Sequence, residues 1–326
     1  MAPSWRLSSL AASRPGCRSF PSVLAERGGD MRLSDVFLYC CCLSLLCLPL
    51  ISHAGEPGAG KFYIVGMGTA ADLITLRGAD VLKKADIVLV GDQQERDLWK
   101  QYTKDKEVWY CPDSLRAMYG IDPARLTDPQ RRARAESASK ARQDLVDRIR
   151  AAVQAGKVVA SMQGGDPMMF GLTFMLEMLP RDIPTEIVPG IGAFQAASAA
   201  VKMSPPYGYD TSAVILTPGD WQGRSDINET LMAAGSTMVF YTMHFDYPKV
   251  FSQLARFYPA DTPVAIVSDA GDHANQKVIR STVGQFLTEV DYKNLPAERH
   301  MLLVGKFLTV GQARKDHLAN SPSHAQ

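Results

Sequence analysis

Two kinds of segment alternate along residues 61–309. Short runs of β-branched and aromatic residues end at glycine or aspartate: Lys61–Val65 before Gly66-Met67-Gly68, Asp86–Val90 before Gly91-Asp92, Val158–Ser161 before Gln163-Gly-Gly-Asp-Pro167, and Thr185–Val188 before Pro189-Gly-Ile-Gly192. Such runs predict strands closed by tight turns. Between them, helical spacing of apolar positions covers Leu73–Lys84, a long Arg-, Ala- and Gln-rich stretch from Pro129 to Ala155, Phe170–Leu179, and an Ala-rich run from Ala193 to Val201. Pro205-Pro206 breaks the pattern. A second series follows, with strands at 213–216, 237–241, 264–267, 278–281 and 301–304 and a helix over 249–257. Strands alternating with helices predict an α/β protein with mainly parallel sheets covered on both faces. Residues 311–326 are polar and read as a frayed tail.

One apolar run does not fit this scheme. Val36–Ile51 follows Met31-Arg32 and ends at Ser52-His53-Ala54, the charged start, apolar stretch and small residues of a secretory signal. Residues 1–54 are therefore expected to be a leader with its signal at about 31–54, Met31 being the expected start, and 55–60 a flexible linker. The domain is then exported or periplasmic. If the leader stays, the membrane touches the protein only there, and five Arg against three acids in the leader still place the rest outside. A non-functional leader would leave the chain in the cytoplasm.

Removing the leader changes the averages. The whole chain carries 35 Lys+Arg and 34 Asp+Glu, so residues 55–326 carry 35 − 5 = 30 basic and 34 − 3 = 31 acidic side chains. A balance of −1 gives no electrostatic reason to expect nucleic acid. Five of the six Cys lie before residue 50, leaving Cys111 alone, so an internal disulfide and a Cys/His zinc site are both excluded from the domain.

The candidate chemistry sits at strand ends. Ligands of α/β sheets bind beyond the carboxyl ends of strands, where glycine allows close approach of the backbone. Three such ends are glycine-rich: Gly66-Met-Gly68, Gly164-Gly-Asp-Pro167 and Pro189-Gly-Ile-Gly192. The first also reads Gly66-x-Gly68-x-x-Ala71 with Asp92 ending the next strand, a dinucleotide fingerprint variant that keeps a nucleotide-dependent oxidoreductase open.

Taken in order, Phe62-Tyr-Ile-Val-Gly-Met-Gly68, Asp72-Leu-Ile-Thr-Leu76, Ala85-Asp-Ile-Val-Leu89, Gly164-Gly-Asp-Pro167, Val188-Pro-Gly-Ile191, Val239-Phe-Tyr-Thr-Met243, Thr262-Pro-Val-Ala-Ile266 and Leu302-Leu-Val-Gly305 resemble the successive motifs of the tetrapyrrole methylase family. Residues 165–174 and 189–198 are most similar to its precorrin-2 C20-methyltransferase branch. The resemblance implies an N-terminal α/β domain over 61–206 with a mainly parallel sheet, a C-terminal one over 207–310 with a mixed sheet, a cleft between them, and a homodimer. It also implies S-adenosyl-L-methionine as cofactor and a precorrin-like tetrapyrrole as methyl acceptor. Carried over by position, Gly66 and Gly68 shape the cleft floor, Gly164, Gly165 and Asp166 form the cofactor loop, and Ile191, Gly192 and Ala193 lie beside it. From the C-terminal domain, Met243 matches a methionine near the cofactor, and Ala270-Gly271 matches a later cofactor-side turn. Two positions depart from the family pattern. The usual Gly-x-Gly-Pro-Gly-Asp-Pro loop is replaced by a shorter one through Thr69-Ala70-Ala71-Asp72, and Gly192 stands where relatives carry Thr or Ser. These departures keep a second reading open, an exported tetrapyrrole- or corrinoid-binding protein with weakened catalysis.

Asp92 is the candidate general base, with a helix cap as its other reading. Asp166 is expected to fix its loop and cap the next helix. Arg116, Arg125, Arg131, Arg132 and Arg134 are either carboxylate-binding forks for a polyacidic acceptor or a solvated face. His244, after Met243, is either a group approaching the cleft or a structural histidine, and Met168-Met169-Phe170 is expected to pack in the core.

Overall fold

A computed structural model of the chain describes residues 60–309, apart from 171–172, 207–212, 221–226, 244 and 297. The expected leader, residues 55–59 of the linker, His244 and the polar tail lie outside the described residues.

The first series of strands forms one sheet: β1 (Lys61–Gly66), β2 (Ile87–Val90), β3 (Glu107–Tyr110), β4 (Val158–Gln163) and β5 (Thr185–Val188). Its order is β3-β2-β4-β1-β5, and all four pairings are parallel. The second sheet holds β6 (Val214–Pro218), β7 (Thr237–Tyr241), β8 (Pro263–Ser268), β9 (Lys277–Thr282) and β10 (His300–Val304) in the order β6-β7-β10-β8-β9. Only β6 and β7 run parallel there, so this sheet is mixed. The helices that cover the sheets include α1 (Leu76–Lys84), α2 (Gln93–Leu98), α3 (Pro129–Gln154), α4 (Ala193–Val201) and α5 (Tyr247–Phe257).

Local chemistry explains where the elements depart from the sequence pattern. Thr75 caps α1, its Oγ1 accepting from the Gly78 amide at 3.0 Å, so the helix starts three residues after Leu73. The helix expected over 170–179 is two pieces, Pro167–Phe170 and Thr173–Met178. Asp166 starts the first, its Oδ1 accepting from the Met168 amide at 2.9 Å. That turn leaves Met168 and Met169 58% and 40% exposed, which corrects their expected place in the core. Edge strand β3 escapes the sequence pattern because, of Glu-Val-Trp-Tyr, only Trp109 is fully buried.

Period-two alternation sends each strand's residues to opposite faces. Phe62, Ile64, Ile87 and Leu89 pack under α3 against Leu145, Val146 and Ile149. Val65, Val88, Val90 and Met162 face α1 with Leu82. In the second sheet, Phe240, Ile266 and Leu302 lie under α5 with Phe251 and Leu254. The opposite face, with Val239, Ala265, Val267 and Leu303, is covered by Ala196, Ala197 and Val201 of α4. Thus α4 leaves the carboxyl end of β5 in the first sheet and packs on the second. Its small Ala side chains permit that approach.

The carboxyl ends of β4, β1 and β5 are adjacent, and their turns interlock through backbone. Gly68 and Gly165 exchange amide–carbonyl bonds (3.3 and 2.8 Å), and the Met67 amide donates to Gln163 O at 2.8 Å. A Cβ on Gly66 would stand 2.4 Å from the Gly190 nitrogen, and one on Gly190 would stand 2.2 Å from Gly165 O. Gly68 and Gly165 hold φ of +76° and +69°, the left-handed region.

At the start of β10, buried His300 bonds through Nε2 to the Tyr247 hydroxyl of α5, while its carbonyl accepts from Thr242 Oγ1 at 2.6 Å. Burial is the main effect on the imidazole and holds it below its ordinary 6.5.

Two stability predictions follow from these contacts. Gly190→Ala should cost about 2–3 kcal/mol in urea unfolding, because backbone on both sides cannot yield. A loss below about 0.5 kcal/mol would mean the turns are not interlocked. A buried neutral histidine stabilises fully above the unfolded pKa of about 6.5 and loses that contribution as pH falls through the lower folded value. The melting temperature of the parent should therefore drop more steeply than that of His300→Gln between about pH 7.5 and 5. Parallel curves would contradict the assignment.

Candidate functional site

The interlocked turns are closed to side chains on one side and open on the other. A Cβ on Gly164 or on Gly165 would meet nothing within 4 Å. Gly164 is exposed, and the backbone of Gly164–Asp166 forms an uncovered ledge at the carboxyl edge of the parallel sheet. Beside it, α4 begins at Gly192, which caps the helix without a side-chain bond. The first amides of α4 and the positive end of its dipole therefore remain available for an anionic group. A Cβ on Gly192 would lie 2.8 Å from Gln195 Oε1 and 3.4 Å from the Asp166 Cβ. In this chain Gln195 fills the space that a Thr or Ser at 192 would use, which is the physical counterpart of that departure.

The second sheet meets the same edge. Tyr241 ends β7 half-buried; burial first, and the negative charge of Asp166 second, raise its hydroxyl above the ordinary value of 10, so it stays a neutral phenol. Thr242 is buried, and Met243 follows 41% exposed. Two residues past β8, Ala270 is buried among α4 side chains. Gly271, at φ +90°, sits so close to the first loop that a Cβ would come 2.5 Å from Leu73 Cδ1 and 2.7 Å from Thr69 Oγ1. The shortened first loop closes by a Leu73 amide to Ala70 carbonyl bond of 3.0 Å. Its Asp72 faces His273 at 3.9 Å, both exposed. The shorter loop keeps the Gly68–Gly165 bridge and docks on Gly271.

Gly66, Gly68, Gly164, Gly165, Asp166, Ile191, Gly192 and Ala193 thus share one edge, with Ala270 and Gly271 abutting it. Asp92 stands at the end of β2, exposed, as the cap of α2: its Oδ1 accepts from the Glu95 amide at 2.8 Å, and Glu95 Oε2 accepts from the Gly91 amide at 2.7 Å. The arginines after β3 have local partners. Arg116 pairs with Asp113, Arg125 lies 3.5 Å from Asp122, and the Arg132 guanidinium donates to Leu126 O at 2.6 Å. Arg131 and Arg134 are exposed. Burial pushes the Cys111 thiol up to about 12, which leaves it unreactive. A cavity of about 480 Å³ opens beside the start of α5, lined by Thr242, Tyr247, Tyr292 and His300.

Sequence reasoning missed two contributors. Gly190 was visible only as part of a turn, and Tyr241 lay within the Val239–Met243 motif but carried no signal of its own. The Ala270-Gly271 turn was named from the resemblance, but its contact with Leu73 joins positions far apart in the chain.

Comparison with known proteins agrees with this geometry. The family described as Tetrapyrrole (Corrin/Porphyrin) Methylases matches residues 61–287. The siroheme synthase of Hydrogenovibrio crunogenus is 29% identical over 267 residues, covering 77% of this chain and 50% of that protein. That of Pseudomonas aeruginosa strain UCBPP-PA14 is 29% identical over 230 residues, covering 69% and 45%. The chain spans about half the length of these curated relatives. Among solved structures, a cobalt precorrin-4 methyltransferase superposes with a TM-score of 0.61 at 25% identity, covering 76% of this chain and 95% of that one. A uroporphyrin-III C-methyltransferase of Thermus thermophilus, complexed with S-adenosyl homocysteine, shares the fold at 20% identity and a TM-score of 0.55, covering 77% and 100%. None of these four is a precorrin-2 C20-methyltransferase. With a parallel and a mixed sheet, three interlocked glycine turns and a match over most of the domain, this chain belongs to the tetrapyrrole (corrin/porphyrin) methylases.

Proposed function

We propose that this chain is an S-adenosylmethionine-dependent methyltransferase acting on a tetrapyrrole. The observation that carries the proposal is the ledge at Gly164–Gly165, where a Cβ on either glycine would meet open space beside a helix N-terminus. Those residues suit the cofactor's methionine part: amides of Ile191, Gly192 and Ala193 at the start of α4 would receive its carboxylate, and the Gly164–Asp166 segment its amino group. Met243, just past β7, supplies apolar surface, and buried Ala270 backs the turn that faces the first loop. When bound, the cofactor supplies an electrophilic methyl on a sulfonium. The chain's own contribution is then alignment of an electron-rich acceptor carbon behind that methyl, which can be worth about 7–11 kcal/mol. Tyr241 is a neutral phenol beside Asp166, able to donate a hydrogen bond within the site. Asp92 acts as the α2 cap in this reading. The tetrapyrrole class rests on the family and on the siroheme synthase relatives; a homodimer and export through residues 1–54 complete the proposal.

A second reading, cofactor or tetrapyrrole binding without turnover, is favoured by one observation. The shortened first loop leaves Thr69 Oγ1 buried without a hydrogen-bond partner among the described residues, where the family pattern has Pro and Asp. Calorimetric titration of the 55–326 domain with S-adenosylmethionine, S-adenosylhomocysteine and NAD, followed by a methyl-transfer assay on precorrin-type substrates, separates the readings. Binding of the sulfur cofactors with turnover supports the enzyme. Binding without turnover supports the second reading, and NAD binding alone would support the oxidoreductase.

Gly164→Leu should weaken S-adenosylhomocysteine at least about tenfold, roughly 1.4 kcal/mol, while unfolding free energy changes by less than about 1 kcal/mol. Unchanged affinity would remove the ledge from the site. Asp92→Asn keeps an acceptor for the Glu95 amide and should preserve both stability and methyl transfer within about threefold. A loss of a hundredfold or more would instead make Asp92 the base, since general-base contributions are about 10²–10⁴.

A further inference from the structure

Among the described residues, left-handed backbone at a residue other than glycine occurs at Asp105, Lys202, Asp269 and Arg299. Lys202 ends α4, where that conformation terminates a helix. Asp269 (φ +48°) and Arg299 (φ +65°) instead face each other across β8 and β10. The last regular pair of that ladder is Ser268 with His300. One step beyond it, the Asp269 amide donates to Arg299 O at 2.8 Å, and Arg299 Nε lies 2.9 Å from Asp269 Oδ1 as an ion pair. Aspartate tolerates this backbone; an arginine, with its Cβ against the carbonyl, has no local reason to adopt it.

The pair sits at the root of the turn that meets the glycine edge. The Asp272 amide donates to Asp269 O at 3.0 Å with Gly271 at φ +90° in the third position, which is type II turn geometry. The Gly271 amide is also held by Gln276 Oε1 at 2.8 Å. The tip then fits between Leu73 and Thr69 of the first loop and Ala196 of α4. A turn this closely surrounded transmits the placement of its root to its tip, because neither the glycine nor the loop has room to yield.

We propose that Arg299 is a positioning residue for the cofactor: through Asp269 it sets the Ala270–Gly271 turn against the first glycine loop, and so fixes the wall of the site on the second sheet. The inference rests on the S-adenosylmethionine reading. Left-handed backbone retained at a side-chain-bearing residue outside the regular ladder, where its guanidinium pairs with Asp269 and its charge also acts on Asp272, is the observation that carries it.

Arg299→Gly tests it, since glycine accepts φ +65° and loses only the guanidinium's charge interactions. In the 55–326 domain the thermal midpoint should hold. The S-adenosylhomocysteine Kd and the S-adenosylmethionine KM should rise about fivefold or more with kcat within about twofold, and hydrogen exchange of residues 269–272 should quicken. Arg299→Lys should recover part of the affinity. If the parent binds S-adenosylhomocysteine and Arg299→Gly binds it equally well, the inference falls alone; if the parent does not bind, the reading and the inference fall together. Should Arg299→Gly not fold, Asp269→Asn keeps the tolerant backbone and an acceptor but removes the charge. A weaker Kd there supports the proposal, and a parental Kd overturns it.

Discussion

Three polypeptide turns approach within backbone contact at the carboxyl edge of the parallel sheet, and most of the molecule is arranged to allow it. Gly66 and Gly190 occupy volume in which a single methyl group would overlap a neighbouring amide or carbonyl, and Gly165 supplies one of those carbonyls. Such contacts need adjacent parallel strands, so the order β4-β1-β5 is a requirement and not an incidental topology. They also satisfy backbone groups that would otherwise need side chains or water. The consequence is a rigid shelf whose outward side, at Gly164 and Gly165, stays bare.

A bare shelf of backbone is a suitable surface for a charged, flexible cofactor. Side chains placed there would have to be ordered on binding, at an entropic cost, whereas the amides are already fixed by the sheet. The same logic explains why departures from the family pattern leave the frame intact. The loop through Thr69–Asp72 is shorter, yet it is tied by the Gly68–Gly165 bridge on one side and by Gly271 on the other. At 192, a lost hydroxyl is replaced by packing from Gln195.

Helix α4 connects the shelf to the rest. By chain order it completes the first α/β series, but its alanines lie on the second sheet, with Val239, Ala265 and Leu303. The helix therefore presents its N-terminus to one sheet and its side to the other. The Ala270–Gly271 turn closes the arrangement from the opposite direction, and its strained root at Asp269 and Arg299 shows that its placement is held by more than sheet register.

Much of this was legible in the sequence. Strands of the Phe62-Tyr-Ile-Val kind, the glycine-rich ends, and the change from one series to another at Pro205-Pro206 follow from period, β-branching and backbone chemistry, which act over a few residues. The ordered motifs also carried the family. Short polar-edged β3, the split of the 170–179 helix and the exposure of Met168 and Met169 were not legible, because each turns on a cap or a neighbour that alternation does not encode. Asp92 illustrates the limit: an acid at a strand end is the same letter whether it caps a helix or takes a proton, and only the Glu95 amide at 2.8 Å shows the cap. The sequence by itself determined the elements and the family, because local propensity and motif order are properties of neighbouring residues. The tertiary structure alone decided which glycines are buried against backbone, which face open space, that Tyr241 lies within the field of Asp166, and that Gly271 packs on the first loop, because those contacts join residues tens to hundreds of positions apart.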